Sequence, residues 1–280
     1  MEAEPDFRQW NVISLGAGVQ SSTMALMAAH GEITPMPDFA VFADTQDELP
    51  DVYEWLEWLE SVLPFEVVKP TKGKLSDSFR KMKTTKDGRV YSQTNVPLYT
   101  LSESGERGRI PHRSCTRDYK IRPIQSQLRK LCGVKRGERN PVVVSWVGIS
   151  LDEIERAKPS RDDWNPVRWP LLEKRMTRSA CSRWMADNGY PEPPRSACFY
   201  CPFHSNSEWR RIQIEYPLFF EKAVEIEKEI QAAKEQSSNF ATRPFLHPSC
   251  KPLDTIDFRS DIERGQGLLW QDECDGMCGV

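Results

Sequence analysis

Cys198 and Cys201 stand in the run SACFYCPFH, two thiols separated by two residues, with His204 three positions on. A C-x-x-C spacing puts two sulfurs on one side of a turn, as tetrahedral metal or iron–sulfur binding requires. Cys115 and Cys181 lie earlier in the chain, so four soft ligands are available, and thiolate sites suit Zn²⁺ or an iron–sulfur cluster. A redox disulfide or inert buried thiols are the other uses of the same residues. Cys274 and Cys278 fall four apart in the final run DECDGMCGV. A thiolate on a short tail could swing over a crevice, react and withdraw to be reduced. Alternatively these two join Cys250 and His247, from FLHPSC, in a second metal site or in packing. Cys132, beside Leu131 in a helical pattern, reads as core.

A different chemistry is offered by NVISLGAGVQSSTMALMAAHGEI, residues 11–33. An apolar run stops at Ser14, passes Gly16 and Gly18, and resumes with helical spacing from Ser22 to His30. A strand turning through glycine into a helix aims backbone N–H groups at one spot beside the positive end of the helix dipole, which suits phosphate. Ser14, Ser21, Ser22 and Thr23 add hydroxyl donors. The run is not the G-x-x-x-x-G-K-[ST] loop, for it has no lysine, and Ser21 takes the last glycine position of G-x-G-x-x-G.

The elements that must position these residues alternate. DFAVFADT (38–45) is a second strand, DVYEWLEWLESVL a helix with Val52, Trp55, Leu56 and Leu59 on one face, and FEVVKP a third strand. That alternation predicts a parallel α/β sheet. Residues 72–112 are polar and read as a long excursion or lid; YKIRPIQSQLRKLCG is helical after Pro123. NPVVVSWVGIS (140–150) is apolar enough to be a central strand. TRSACSRWMADNGY is a helix, PEPPRS a turn, and a charged helix runs near 219–236. The composition shift near 175 predicts two domains: 1–175, binding an anion, and 176–280, a smaller Cys-rich module with a flexible tail. Binding loops in such a sheet follow strand ends and converge on one crevice.

At 280 residues and net charge −3 the chain has no global basic field. From Arg107 to Arg139, however, eleven Lys/Arg face two acids, Asp118 and Glu138. The stretch favours an anionic ligand, the other reading being a solvated face. No apolar run spans a bilayer, and MEAEPDFRQW lacks the plan of a signal peptide, so the expectation is a cytoplasmic protein with no membrane partner and reduced thiols.

The glycine run resembles the PP-loop of the adenine-nucleotide alpha-hydrolase superfamily, S-G-G-x-D-S, laid over Gly16–Ser21 with Gln20 at the aspartate. "GVQ" is similar to its phosphoadenylyl-sulfate (PAPS/APS) reductase branch. ADTQDELPDVYEWL resembles the branch's second-strand motif, RSCTRDYKIRPI its cysteine-containing R-K-x-x-P-L segment, and VGISLDEIERAKP its G-I-R-x-D-E-S-x-x-R-A motif, with Ser150 at an arginine. The resemblance implies a Rossmann-like, HUP-type parallel-sheet domain that binds ATP or phosphoadenylyl sulfate. Its nucleotide contacts would be Ser14, Gly16, Gly18, Gln20, Ser21, Ser22, Asp44, Thr45, Arg117, Lys120, Gly148, Asp152, Glu153 and Arg156. It also implies a [4Fe–4S] cluster, Zn²⁺ being the alternative. The branch's Cys-Cys pair is Ser114-Cys115 here, which makes Cys181 the replacement ligand beside Cys115, Cys198 and Cys201. The tail is similar to the branch's E-C-G-(aliphatic)-H, without the histidine, and implies Cys278 or Cys274 as the nucleophile on sulfur.

Three functions follow as expectations. The first is a sulfonucleotide reductase partnered by a thiol reductant. The second is an ATP-dependent, cluster-containing sulfurtransferase acting on a nucleobase or nucleic acid with a sulfur-donor protein. Gln20 weighs against it, because the aspartate goes with members that split ATP. The third is a non-catalytic nucleotide- or metal-binding accessory protein, since fold does not establish function.

Overall fold

The computed structural model describes residues 8–79, 81–92, 95–110, 114–237 and 242–259. In chain order come β1 (Trp10–Ser14), α1 (Val19–Ala29), β2 (Phe39–Val41), α2 (Pro50–Val62) and β3 (Val67–Val68). Four strands follow: β4 (Met82–Thr84), β5 (Val90–Ser92), β6 (Leu98–Ser102) and β7 (Arg107–Ile110). A π-helical turn, Thr116–Ile121, runs into α3 (Arg122–Leu131), then β8 (Val143–Val147), a 3-10 turn Leu151–Arg156, β9 (Val167–Arg168), α4 (Pro170–Glu173) and α5 (Arg178–Asp187). The remaining elements are α6 (Asn206–Glu215), α7 (Pro217–Glu235) and β10 (Thr242–Phe245).

These elements form two compact units, one of residues 8–73 and 118–196, the other of 74–117 and 197–259. Both are discontinuous in sequence, whereas the expected boundary at 175 divides the chain linearly. In the contacts, 176–196 belongs with the first unit and 74–117 with the second.

The first unit is the α/β fold. Its sheet runs β3-β2-β1-β8-β9, every pairing parallel. β1 holds the middle place and β8 lies between β1 and β9, so the run at 140–150 is an interior strand but not the centre. Successive side chains of a strand point to opposite faces, and both faces here are apolar. Ile13, Ala40, Phe42 and Trp146 pack in one core with the buried sides of α1, α2 and α5; Val12, Phe39, Val41 and Val143 pack in another with Leu128 of α3. On α2 the expected stripe of Val52, Trp55, Leu56 and Leu59 is the buried face. Each such side chain contributes about 1.5–3 kcal/mol by leaving water.

The second unit holds an antiparallel sheet, β10-β6-β7, and a hairpin, β4-β5. The polar stretch read as an excursion therefore contains four short strands. No described helix is long and apolar enough to cross a membrane.

Candidate functional site

The glycine run forms the link between β1 and α1. Leu15 N–H bonds Val41 O at 2.9 Å, keeping the chain on the sheet one residue past the strand. Gly16 N–H then donates to Ser21 Oγ (3.1 Å), and Ser21 Oγ to Gly18 O (3.2 Å), so the Ser21 hydroxyl closes the turn on itself. Ser22 Oγ is buried and accepts from Trp55 Nε1 at 3.0 Å, while Thr23 Oγ1 donates to Val19 O at 2.9 Å. The hydroxyls of 21, 22 and 23 thus serve the fold. α1 begins at Val19 with Gly18 as N-cap and no side-chain cap, and the first amides of a helix have no partner within it.

The glycines themselves are informative. The left-handed residue of this turn is Ala17, at φ 57°, while Gly18 is extended at φ −98°, ψ 177°. A Cβ built on Gly18 would meet nothing within 4 Å. The fold makes no demand for glycine there, and the space at the mouth is left clear. Gly148, at the end of β8, is the opposite case. A Cβ on it would lie 2.9 Å from Ser21 N, 3.0 Å from Ser21 Cα and 3.1 Å from Gln20 C, so two backbones touch where the loops of neighbouring strands meet.

The third segment is the 3-10 turn Leu151–Arg156. Gln20, buried, directs Nε2 to Glu153 Oε2 (3.3 Å) and Ser150 Oγ (3.5 Å), and its Oε1 accepts from Arg178 Nη1 at 2.9 Å. Arg156 pairs with the other Glu153 oxygen at 2.6 Å. Asp152 Oδ1 accepts the Arg178 backbone N–H at 2.9 Å. Partial burial works to raise the Asp152 pKa, but the hydrogen bonds from Ser150 and the Arg178 amide, with the Arg178 charge, hold it below the ordinary carboxylate value. Arg178 escaped the sequence reading. The only local signal is Thr177, which caps α5 by accepting from Ala180 N; the partner at Gln20 lies 158 residues away.

Asp44 and Thr45 follow β2, next to β1 in the sheet. Asp44 does not cap α2, whose N-cap is Leu49; its Oδ1 accepts from Gln46 N (2.8 Å) and Tyr53 OH (3.0 Å). Burial, and then the Asp44 charge, push the Tyr53 hydroxyl well above its ordinary pKa. Thr45 is fully buried. Lys120 Nζ stands 3.4 Å from Oε1 of the buried Glu48. The structure therefore gathers the turn, 44–45 and 148–153 at the carboxyl ends of adjacent parallel strands, where open α/β sheets bind ligands. Ser14 is the last residue of β1; Arg117 is exposed on the π-helical turn and belongs to the second unit.

The four candidate cysteine ligands are divided between the two units. Cys181 is fully buried in the core of the first unit, and burial, with the Asp152 charge, pushes its thiol up to about 11. Such a thiol stays protonated at neutral pH and packs as a small apolar group. Cys132 lies at the C-cap of α3 against the other core, its thiol likewise raised to about 11 by burial, as expected of a core residue. Cys115, Cys198 and Cys201 belong to the second unit. Cys201 N–H bonds Cys198 O (2.9 Å), His204 N–H bonds Cys201 O (3.1 Å), and His204 Nε2 returns to Cys198 O (3.0 Å), giving two linked turns with both thiols half-buried. Among the described residues no group of three or more His, Cys, Asp or Glu is placed to hold a metal ion. Cys274 and Cys278 lie outside the described residues.

His247 and Cys250 pack. The Cys250 thiol, buried and shifted upward by burial, points at Thr100 O at 3.6 Å. His247 Nδ1 accepts from Ser249 N (3.1 Å), which leaves Nε2–H to donate to Asn206 Oδ1 (2.9 Å). Burial lowers its pKa to about 4. The unfolded chain takes up this proton near pH 6.5 and the folded chain only near 4, so stability is retained above 6.5 and falls as pH drops between them. Urea unfolding at pH 7 and at pH 4.5 should show a loss in the wild type about 2 kcal/mol larger than in His247→Gln. Equal losses would show that His247 does not titrate this way.

No protein-family model matches the chain, and no curated protein matches it. Among solved structures it resembles phosphoadenylyl-sulfate (PAPS) reductase from Candida auris, a phosphate complex, at 12% identity, over 68% of this chain and 76% of that one, with a TM-score of 0.37. The likeness is loose, and the α/β architecture rests on the parallel strand order itself.

Proposed function

We propose that the first unit binds the phosphate-bearing end of an adenine nucleotide at the Gly16–Ser22 turn, and that the chain carries out sulfur chemistry of the sulfonucleotide-reductase kind. The supporting observation is the clear space at Gly18: a glycine in ordinary extended conformation, with room for a side chain that is not there, at the uncapped start of α1. A ligand that must approach the backbone closely gives that glycine a reason which the fold does not. Gln20 in place of an acid, occupied by Arg178 and Glu153, favours binding without splitting of the nucleotide at this point.

In this reading a tail thiolate, Cys278 or Cys274, attacks the sulfur of phosphoadenylyl sulfate. The sulfur–oxygen bond to the phosphate breaks, adenosine bisphosphate leaves, and an S-sulfocysteine remains. A dithiol reductant then takes the cysteine sulfur and releases sulfite. Full-length protein purified without air, given phosphoadenylyl sulfate and a dithiol, should yield sulfite, and Cys278→Ser should lose turnover while still binding nucleotide. AMP and pyrophosphate from ATP would instead select the thiolation reading. Nucleotide binding without any product would select the accessory role.

A further inference from the structure

Gln20 is used at both ends of its side chain, and the chemistry of its neighbours leaves few alternatives to an amide. Its oxygen accepts from the Arg178 guanidinium at 2.9 Å, and its nitrogen faces the Glu153 carboxylate at 3.3 Å. A carboxylate at position 20 would attract Arg178 but repel Glu153. An amide meets both. The result is a guanidinium held beside the first turn of α1, where the helix end is already positive. Among the described residues no carboxylate stands within ion-pair distance of that guanidinium. Asp152 takes the Arg178 backbone N–H and meets the guanidinium charge only at longer range, and Glu153 is paired with Arg156. One Nη1–H is spent on Gln20, and the planar fork has further donors matched to two oxygens of a phosphate or sulfate.

Resting on the reading of the turn as a phosphate site, we propose that Arg178 supplies the positive charge that meets the ligand's phosphate or sulfate oxygens, that Gln20 positions it, and that the anion is held without a divalent metal ion. Mg²⁺ binds through carboxylates together with phosphate oxygens. Here the side-chain oxygen at position 20 belongs to an amide and already accepts from a cation, and a second cation at that distance is repelled. The ligand class that fits is a nucleotide whose charge is borne on metal-free oxygens, as in a sulfonucleotide, rather than a metal–triphosphate complex.

The test is equilibrium dialysis of the full chain with phosphoadenylyl sulfate and with ATP, each in EDTA and in excess Mg²⁺. Wild-type binding of phosphoadenylyl sulfate should not change with EDTA. Arg178→Ala should weaken it roughly 10- to 100-fold with an unchanged melting temperature, the size of a lost charge-assisted hydrogen bond. Arg178→Lys, keeping charge but losing the fork, should weaken it less. Gln20→Glu should weaken it by neutralising the guanidinium, and Mg²⁺ should restore part of the loss, a response that a merely structural Gln20 would not give. Undiminished binding in Arg178→Ala, or a Mg²⁺ requirement in the wild type, overturns the assignment while leaving the phosphate site standing. Wild-type protein that binds neither nucleotide overturns both.

Discussion

Gly148→Ala should lower the melting temperature by roughly 5–10 °C and weaken nucleotide binding at least about 10-fold. The added Cβ would sit 2.9 Å from Ser21 N, 3.0 Å from Ser21 Cα and 3.1 Å from Gln20 C. All three atoms are backbone in the first turn of α1, so no side chain can swing aside, and β8 or α1 has to shift. β8 is tied to β1 residue by residue, from Trp10 opposite Val143 to Ser14 opposite Val147. Overpacking of this kind costs about 1–3 kcal/mol. It acts directly on the amide of Ser21, which the proposed site uses. Gly18→Val separates the two effects. Its extended backbone accepts a β-branched residue and its surroundings are open, so stability should stay within about 1 kcal/mol of wild type while nucleotide affinity falls by a factor of ten or more. Calorimetry and dialysis on the two variants decide the matter. Wild-type stability in Gly148→Ala would mean that the two loops do not touch as described. Normal binding in Gly18→Val would mean that the mouth of the turn is not where the ligand approaches.

What could be read in advance follows from how local each signal is. The β1–turn–α1 junction, the α2 stripe and the parallel alternation depend on residues within a few positions of one another, and the first unit has them in place. α1 starts at Val19 rather than Ser22 because Gln20, Ser21 and Ser22 of the first turn are polar and carry no apolar periodicity. The strands β4 to β7 went unread for a related reason. They are three to five residues long, and Arg107–Ile110 is mostly exposed, so neither an apolar run nor a clean alternation marks them. Cys181 shows the limit for chemistry. Its residue type marks it as a candidate ligand, but nothing in the sequence tells that the packing of α5 buries it in the sheet core, where burial pushes its thiol pKa up. Arg178 shows the converse. Nothing near it in sequence marks it as functional, and only the fold brings it to Gln20.

Replacing Glu227 should destabilise the second unit more than any surface change in it, by about 3–5 kcal/mol for alanine. Glu227 lies on α7 with 3% of its surface exposed, and each carboxylate oxygen accepts one backbone N–H: Leu246 on Oε1 at 2.9 Å and Leu253 on Oε2 at 2.8 Å. One turn further along, Gln231 Nε2 donates to Pro244 O at 2.8 Å while its Oε1 accepts from Arg243 Nη2 at 2.9 Å. α7 therefore holds the end of β10 and the 3-10 turn Leu253–Thr255 through its side chains. Alanine leaves two buried amides without acceptors, each costing about 1–3 kcal/mol, and opens a cavity besides. Glu227→Gln is the sharper variant. It fills the same volume, but its single oxygen can accept only one amide and its NH₂ must face the other, so it should cost about 2 kcal/mol or more. Lys228→Ala is the control. It removes the exposed 2.9 Å ion pair from Lys228, on the same helix as Glu227, to Asp254, and should cost under about 1 kcal/mol. Hydrogen exchange at Leu246 and Leu253 reads the effect at the two amides, alongside urea unfolding of the full chain. If Glu227→Gln proves as mild as Lys228→Ala and both amides stay protected, the carboxylate is not what fastens these segments to α7.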